Sequence, residues 1–204
     1  MSAPEEVYAP GPPEGDDLGA PPPTGPTKRK RSTTRSIIEW VAVVGGALIV
    51  ALVIRAFFLA AFYIPSESMV PTLQKGDRVL VNKLSYKLHD VHRGDVVVFS
   101  RPPGEQDNGI KDLIKRVVGL PGETIEVRDC KVLINGRALD EPYVKTWNRT
   151  CTYAAHQVGK DQVFVMGDNR DDSQDSRFFG PINESLIVGR AFVIVWPLTH
   201  LGWL

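Results

Sequence analysis

Two serines and one lysine stand where acyl-transfer chemistry could be assembled. Ser66 and Ser68 lie in IPSESMVPTL, residues 64–73. Pro65 and Pro71 bracket them and restrict the segment to extended or turn backbone. On an extended backbone, residues two apart point to the same side. A serine hydroxyl becomes a useful nucleophile only when a neighbouring base takes its proton. The four histidines, His89, His92, His156 and His200, carry neither a triad motif nor metal-ligand spacing. There is also no G-x-S-x-G elbow. A lysine is the remaining base, and Lys115 in DLIKRVVGLPGE is the candidate.

On a strand, Leu113, Lys115 and Val117 share one face, and Ile114, Arg116 and Val118 share the other. Both faces are otherwise apolar, so one of the two cations must come near buried surface. Arginine stays charged, whereas lysine sheds its proton when desolvated. At its reference pKa of about 10.4, roughly one lysine in a few thousand is neutral at pH 7. Lowering that value by about 2 to 3 makes it a competent base. The same residues also fit plainer roles: serines in a polar linker after a membrane span, and a lysine snorkelling at a sheet edge.

Other motifs carry less. Residues 93–95 spell RGD, but KGDRVLV at 75–81 repeats the same turn-then-strand pattern without it. Asn148-Arg149-Thr150 and Asn183-Glu184-Ser185 match the glycosylation pattern, which matters only in a host with that machinery. The run GDNRDDSQDSR at 167–177 is acidic, yet the sixth loop position counted from Asp168 is Ser173 rather than Gly. With two arginines it fits an ion-paired polar loop, and no metal or cofactor is expected.

The elements that must position these residues follow from the charge pattern. The 204 residues carry 24 Lys+Arg and 24 Asp+Glu, and a neutral sum argues against a dedicated nucleic-acid binder. The first 27 residues hold five acids, no Lys or Arg, and 8 of the 16 prolines, a composition too poor in apolar groups to order itself. Lys28, Arg29, Lys30, Arg31 and Arg35 follow. From Ile37 to Ile54 there are 18 residues with one charge, Glu39. As a helix they span roughly 27 Å, close to the hydrocarbon thickness. Trp40 sits where an interfacial aromatic would, and Arg55 closes the run. The expected organisation is therefore a disordered cytoplasmic tail and basic collar over 1–36, a transmembrane signal anchor over 37–55, and an extracytoplasmic domain over 56–204. Basic residues before the span place the N-terminus in the cytoplasm. A cleaved signal peptide is disfavoured, because its n-region would be unusually long, its h-region too long, and no clear small-x-small site follows.

The third part is expected to be mainly β, with an antiparallel sheet or partly open barrel. Short runs alternate or are wholly apolar: 78–84, 95–100, 113–119, 124–128, 131–134, 162–166 and 188–195. Asn135-Gly136 favours a tight hairpin. Cys130 and Cys151, the only cysteines, both fall in this part, where an oxidising compartment would favour a disulfide.

Five segments in order resemble the bacterial type I signal peptidases, membrane-anchored serine endopeptidases of protein export. They are IPSESMVPTL, KGDRVLVNK, RGDVVVF, IKRVVGLPGE and MGDNRDDSQDSRFFGPI. The resemblance implies Ser68 as nucleophile and Lys115 as general base. It implies an oxyanion hole made by the Ser66 hydroxyl and the Ser68 amide, Ser173 bonded to Lys115, and an Asp175–Arg177 pair supporting the loop. It also implies preprotein signal peptides with small residues one and three positions before the cut as substrates, with the bilayer and the export translocon as partners. One departure is Glu67, where family members often carry Gly; alternation points its side chain away from both hydroxyls. Self-cleaving repressors share Ser-Lys chemistry, but this chain has an anchor and no helix-turn-helix. A membrane-tethered β-module that only binds would need no Ser-Lys pair.

Overall fold

The computed structural model describes residues 11, 33–103, 109–145, 147, 149 and 151–204, with the side chains of 33–35 and 54–57 outside that description. The acidic tail (Gly11 apart), the cations from Lys28 to Arg31, the Arg35 and Arg55 side chains, and Asn148 and Thr150 of the glycosylation pattern lie outside the described residues.

The chain divides into two units, residues 1–44 and 45–204. Helix α1 (Thr33–Phe57) begins in the first. Its window Ser36–Val53 has a mean hydropathy of 2.3 and none of it is buried. Apolar residues surround the axis, so no polar face exists to meet water. A helix this long and apolar is compatible with a membrane anchor.

Among the described residues the second unit holds twelve strands. They are β1 (Leu59–Tyr63), β2 (Arg78–Asn82), β3 (Val96–Ser100), β4 (Asp112–Gly119), β5 (Thr124–Arg128), β6 (Lys131–Ile134), β7 (Arg137–Ala138), β8 (Tyr153–Gln157), β9 (Gln162–Met166), β10 (Ile182–Asn183), β11 (Ile187–Trp196) and β12 (Gly202–Trp203). Two short helices are α2 (Ser85–Leu88) and α3 (Ser176–Phe179). One sheet runs β1-β2-β11-β3-β4-β9-β10, with β12 paired to β11; the second runs β7-β6-β5-β8. Every pairing is antiparallel. The larger sheet stays open, with β1 and β10 at its edges.

That sheet is buried on both faces at its centre, which is why β3 is continuously apolar. Val96 and Val98 join one core cluster with Ile64, Met69, Leu73, Val79 and Val81. Val97 and Phe99 join another with Val117, Val163 and Val165. A third cluster unites the two sheets, with Phe164 and Met166 from β9 against Ile125, Val127 and Val132.

The seven expected strands all form, three with the expected ends and four with ends moved by one or two residues. Five strands were not foreseen. LAAFY of β1 lacks alternation, yet Leu59 to Tyr63 pair with Asn82 to Arg78. Strand β8 is largely exposed at a sheet edge, and β7, β10 and β12 have two residues each, too few for periodicity to register. The Asn135-Gly136 hairpin forms between β6 and β7, with φ of 50° and 79°. Positive φ at both central residues is the turn whose twist matches the strands.

Cys130 and Cys151 are disulfide-bonded, with Cα atoms 4.2 Å apart. The bond closes a loop of about 20 residues, which on the chain-entropy account contributes about 3 kcal/mol. Cys130→Ser is expected to lower stability by about that amount in thermal unfolding of the solubilised chain. An unchanged midpoint would mean the reduced loop is held by its other contacts alone.

Candidate active site

The turn that carries Ser66 and Ser68 is built from its buried residues outward. Ile64 leaves β1 and is pinned to the start of β2, donating its N–H to Asp77 O and accepting from Gly76 N, both at 2.9 Å. Met69 and Leu73 are fully buried in the first core cluster, and Leu73 N–H donates to Met69 O at 2.9 Å. Val70 N–H closes onto Glu67 O at 3.1 Å. The segment is therefore a turn, one of the two backbones its prolines allow. The two hydroxyls still converge: Ser66 Oγ and Ser68 Oγ are 3.3 Å apart. Ser68 is buried, whereas Ser66 and Glu67 are exposed.

Lys115 lies on β4 opposite Val97 and is 4% exposed. Its Nζ is 2.9 Å from Ser68 Oγ and 3.0 Å from Ile114 O. Tertiary folding thus joins two groups 47 positions apart in sequence. The expectation that one cation of the Lys115-Arg116 pair meets buried surface needs correction, because both do. The sheet is covered on both faces, so neither parity reaches water. Arg116 is compensated by Asp168, which accepts Nε at 2.9 Å and Nη2 at 2.7 Å. Burial works against the guanidinium charge, and the Asp168 hydrogen bonds and charge outweigh it and raise its affinity for the proton. The Tyr143 ring lies 4.2 Å from the guanidinium carbon.

The loop after β9 braces the turn. Asn169 N–H donates to Ser68 O at 3.0 Å, and Asn169 Nδ2 donates to Glu67 O at 3.1 Å. Thr72 Oγ1 donates to Asp168 Oδ2 at 2.5 Å. The expected Asp175–Arg177 pair is present and buried: Arg177 Nε donates to Asp175 Oδ1 and Nη2 to Oδ2, each at 2.8 Å. The same arginine holds Arg170 O, and Asp175 also accepts the Gly167 N–H. Ser173 is buried beside Gly167. Its Oγ has no hydrogen-bond partner among the described residues, so the expected bond to Lys115 is not made. The Ile114 carbonyl is the second group holding the lysine amine.

Several site residues escaped the sequence. Arg170 is buried completely and paired with Glu141, at 2.9 and 2.5 Å. Trp147 covers the same guanidinium at 4.9 Å. The run at 167–177 signalled ion pairing but not its partners, and nothing around Glu141 marks it. At Gly167 a Cβ would collide with the Ser68 carbonyl oxygen and Ser173 Oγ. Gly167→Ala is expected to displace the Ser68 turn and lower kcat by about 10²-fold, as displacements of about 1 Å do in other enzymes. Cleavage kinetics on the folded variant check this; a rate within a fewfold of the parent would show that the turn yields harmlessly.

Residues 37–196 match the family described as signal peptidase, peptidase S26. The chain belongs to this family. It is accordingly a serine peptidase. Signal peptidase I of Leptolyngbya laminosa is 40% identical over 184 residues, 89% of this chain and 90% of its own length. Signal peptidase I P of Bacillus subtilis subsp. natto is 36% identical over 184 residues, 85% of this chain and 95% of its own. The solved signal peptidase I of Enterococcus faecalis V583 is 30% identical, covers 50% of this chain and 97% of its own, and overlays with a TM-score of 0.41.

Proposed function

We propose that this chain removes signal peptides from exported preproteins with Ser68 as nucleophile and Lys115 as general base. The observation that carries the reading is the buried 2.9 Å contact between Lys115 Nζ and Ser68 Oγ. Burial disfavours the ammonium form, leaving a lone pair on Nζ to take the hydroxyl proton. As the proton leaves, Ser68 Oγ bonds to the scissile carbonyl carbon. The resulting oxyanion accepts from the Ser68 N–H and the Ser66 hydroxyl, donors of a kind worth about 3 to 4 kcal/mol each in other enzymes. Lys115 then gives its proton to the leaving amine as the C–N bond breaks. Water, deprotonated by the same lysine, hydrolyses the ester and frees the serine. Asp175, Arg177 and Ser173 support the loop behind the turn and touch no reacting atom.

An extended substrate has an edge available. Strand β4 pairs with β9 only from Arg116 onward, so on that side no strand among the described residues pairs with Asp112 to Ile114. A peptide laid there would add main-chain hydrogen bonds and bring its carbonyl toward Ser68. Small residues, typically alanine, one and three positions before the cut are the expected specificity. Helix α1 anchors the chain, with its N-terminus cytoplasmic and the β unit extracytoplasmic, where preproteins emerge from the translocon. Sharing the membrane plane with substrate raises the effective concentration.

The test is a purified chain offered a preprotein with an Ala-x-Ala site. Mass spectrometry should find one cut after the second alanine. The pH–rate profile should fall on its acid side through a group titrating well below the usual lysine value of about 10.4. A rate still rising in proportion to hydroxide near that pH would remove Lys115 as a desolvated base. Protease accessibility in intact cells reports the orientation.

A further inference from the structure

Beside α2 lies a cleft of about 410 Å³, lined by Lys83, Tyr86, Lys87, Glu184, Ser185, Ile187 and Val188. None of these residues touches the Ser68–Lys115 site. Lys83 and Lys87 both face it, and neither is within ion-pair distance of a carboxylate among the described residues. The Tyr86 hydroxyl is already committed to Asp95 Oδ2 at 3.0 Å, and Asp95 is further held by Arg190 at 3.0 Å. The tyrosine is therefore a wall, and the two ammonium groups and the Ser185 hydroxyl are the available donors. Ile187 and Val188 form an apolar side.

The depth of this cleft relative to a bilayer follows from chain connectivity. The apolar window of α1 ends at Val53, and Phe58 is five residues further. Helical rise places it about 7 Å beyond the hydrocarbon edge, within the headgroup layer. The Phe58 carbonyl accepts the Lys83 N–H at 3.0 Å. Lys83 is thereby tied to the headgroup level by its own backbone, with Lys87 one turn away. Phe58 and Leu88, 40% and 79% exposed, stand beside them.

We infer that this cleft binds the phosphate of an anionic phospholipid headgroup, with Lys83 and Lys87 as its cationic ligands. The inference goes beyond the peptidase chemistry and rests on the membrane reading of α1. Two cations without carboxylate partners at headgroup depth match a phosphodiester, and the apolar side suits the glycerol ester region. A headgroup held here would fix the height of the β unit at the membrane surface. Glu184 is the one acid in the lining. Burial, then Asp161 and Asp90, raises its affinity for a proton, which lessens its repulsion of an anion without removing it.

The test uses the full chain in nanodiscs of phosphatidylcholine with or without phosphatidylglycerol. After detergent delipidation, the lipid that stays bound is counted by native mass spectrometry. The parent should retain phosphatidylglycerol in preference to phosphatidylcholine. Lys83→Gln and Lys87→Gln should each reduce that preference about fivefold, and the double variant should abolish it. Glu184→Gln should strengthen it, and Lys131→Gln, an exposed lysine on β6, should leave it unchanged. Equal retention by the double variant overturns the proposal. Displacement of the lipid by millimolar inorganic phosphate would make this a site for free phosphate and overturn the lipid assignment. A chain that fails to insert in nanodiscs refutes the membrane reading of α1 instead, so the two failures are separable.

Discussion

Ser68→Ala and Lys115→Arg should each abolish preprotein cleavage, with losses of about 10⁴-fold or more. In the proposed mechanism, removing the hydroxyl removes the attacking atom. Arginine keeps a positive charge at every accessible pH and has no lone pair for the proton. If the two groups in 2.9 Å contact act as one unit, as proposed, the double variant should be hardly slower than either single one. Lys115 is 4% exposed, so Arg could also fail by overfilling the site. Lys115→Met separates the two causes: it keeps the length, drops the amine, and should fold with its thermal midpoint little changed while remaining inactive. Gel or mass-spectrometric processing assays on purified, folded variants are the measurement. Turnover by Ser68→Ala would end the mechanism, and turnover by Lys115→Met would assign the base elsewhere.

The largest effect on stability is expected at the Arg116–Asp168 pair. Asp168 is 1% exposed and Arg116 is 9% exposed, and two hydrogen bonds join them. Breaking such a pair from one side leaves an uncompensated buried charge, at a cost of about 3 to 5 kcal/mol. Asp168→Ala should approach that figure. It strands the Arg116 guanidinium and also removes the acceptor of the Thr72 hydroxyl. The damage should reach the chemistry, because Thr72 lies four residues after Ser68 and Asn169 holds the Ser68 carbonyl. Arg116→Met combined with Asp168→Leu should recover much of the loss, since no charge then remains to be paired. Denaturant unfolding of the three variants checks the order. A double variant no more stable than Asp168→Ala would show that packing around the pair, rather than the stranded charge, sets the cost.

The legible part of the site was chemical type. With no usable histidine motif, serine and lysine were what remained, and KRV within an apolar strand marked a cation heading for the core. What was missed concerns compensation. The sequence points to one buried cation in the Lys115-Arg116 pair, with lysine the one able to shed its charge. Asp168 is 52 positions from Arg116, and no local pattern points from one to the other. Arg170 and Glu141 are 29 apart and were missed for the same reason. Ser66 and Ser68 were expected to converge through extended alternation. They converge through a turn, because Met69 and Leu73 are pulled into the core and curl the chain around themselves.

Local physics was readable directly. An apolar run with no polar face makes a helix long enough to span a bilayer, period-two and wholly apolar runs make strands, and Asn135-Gly136 makes a tight hairpin. Each depends on residues within a few positions of one another. The sheet order, the strand β1 hidden in an unpatterned apolar stretch, the contact between Lys115 and Ser68 and the burial of both adjacent cations depend on which distant segments meet. Those meetings are set by the packing of whole sheet faces, a property of the assembled core that no single stretch of the chain contains.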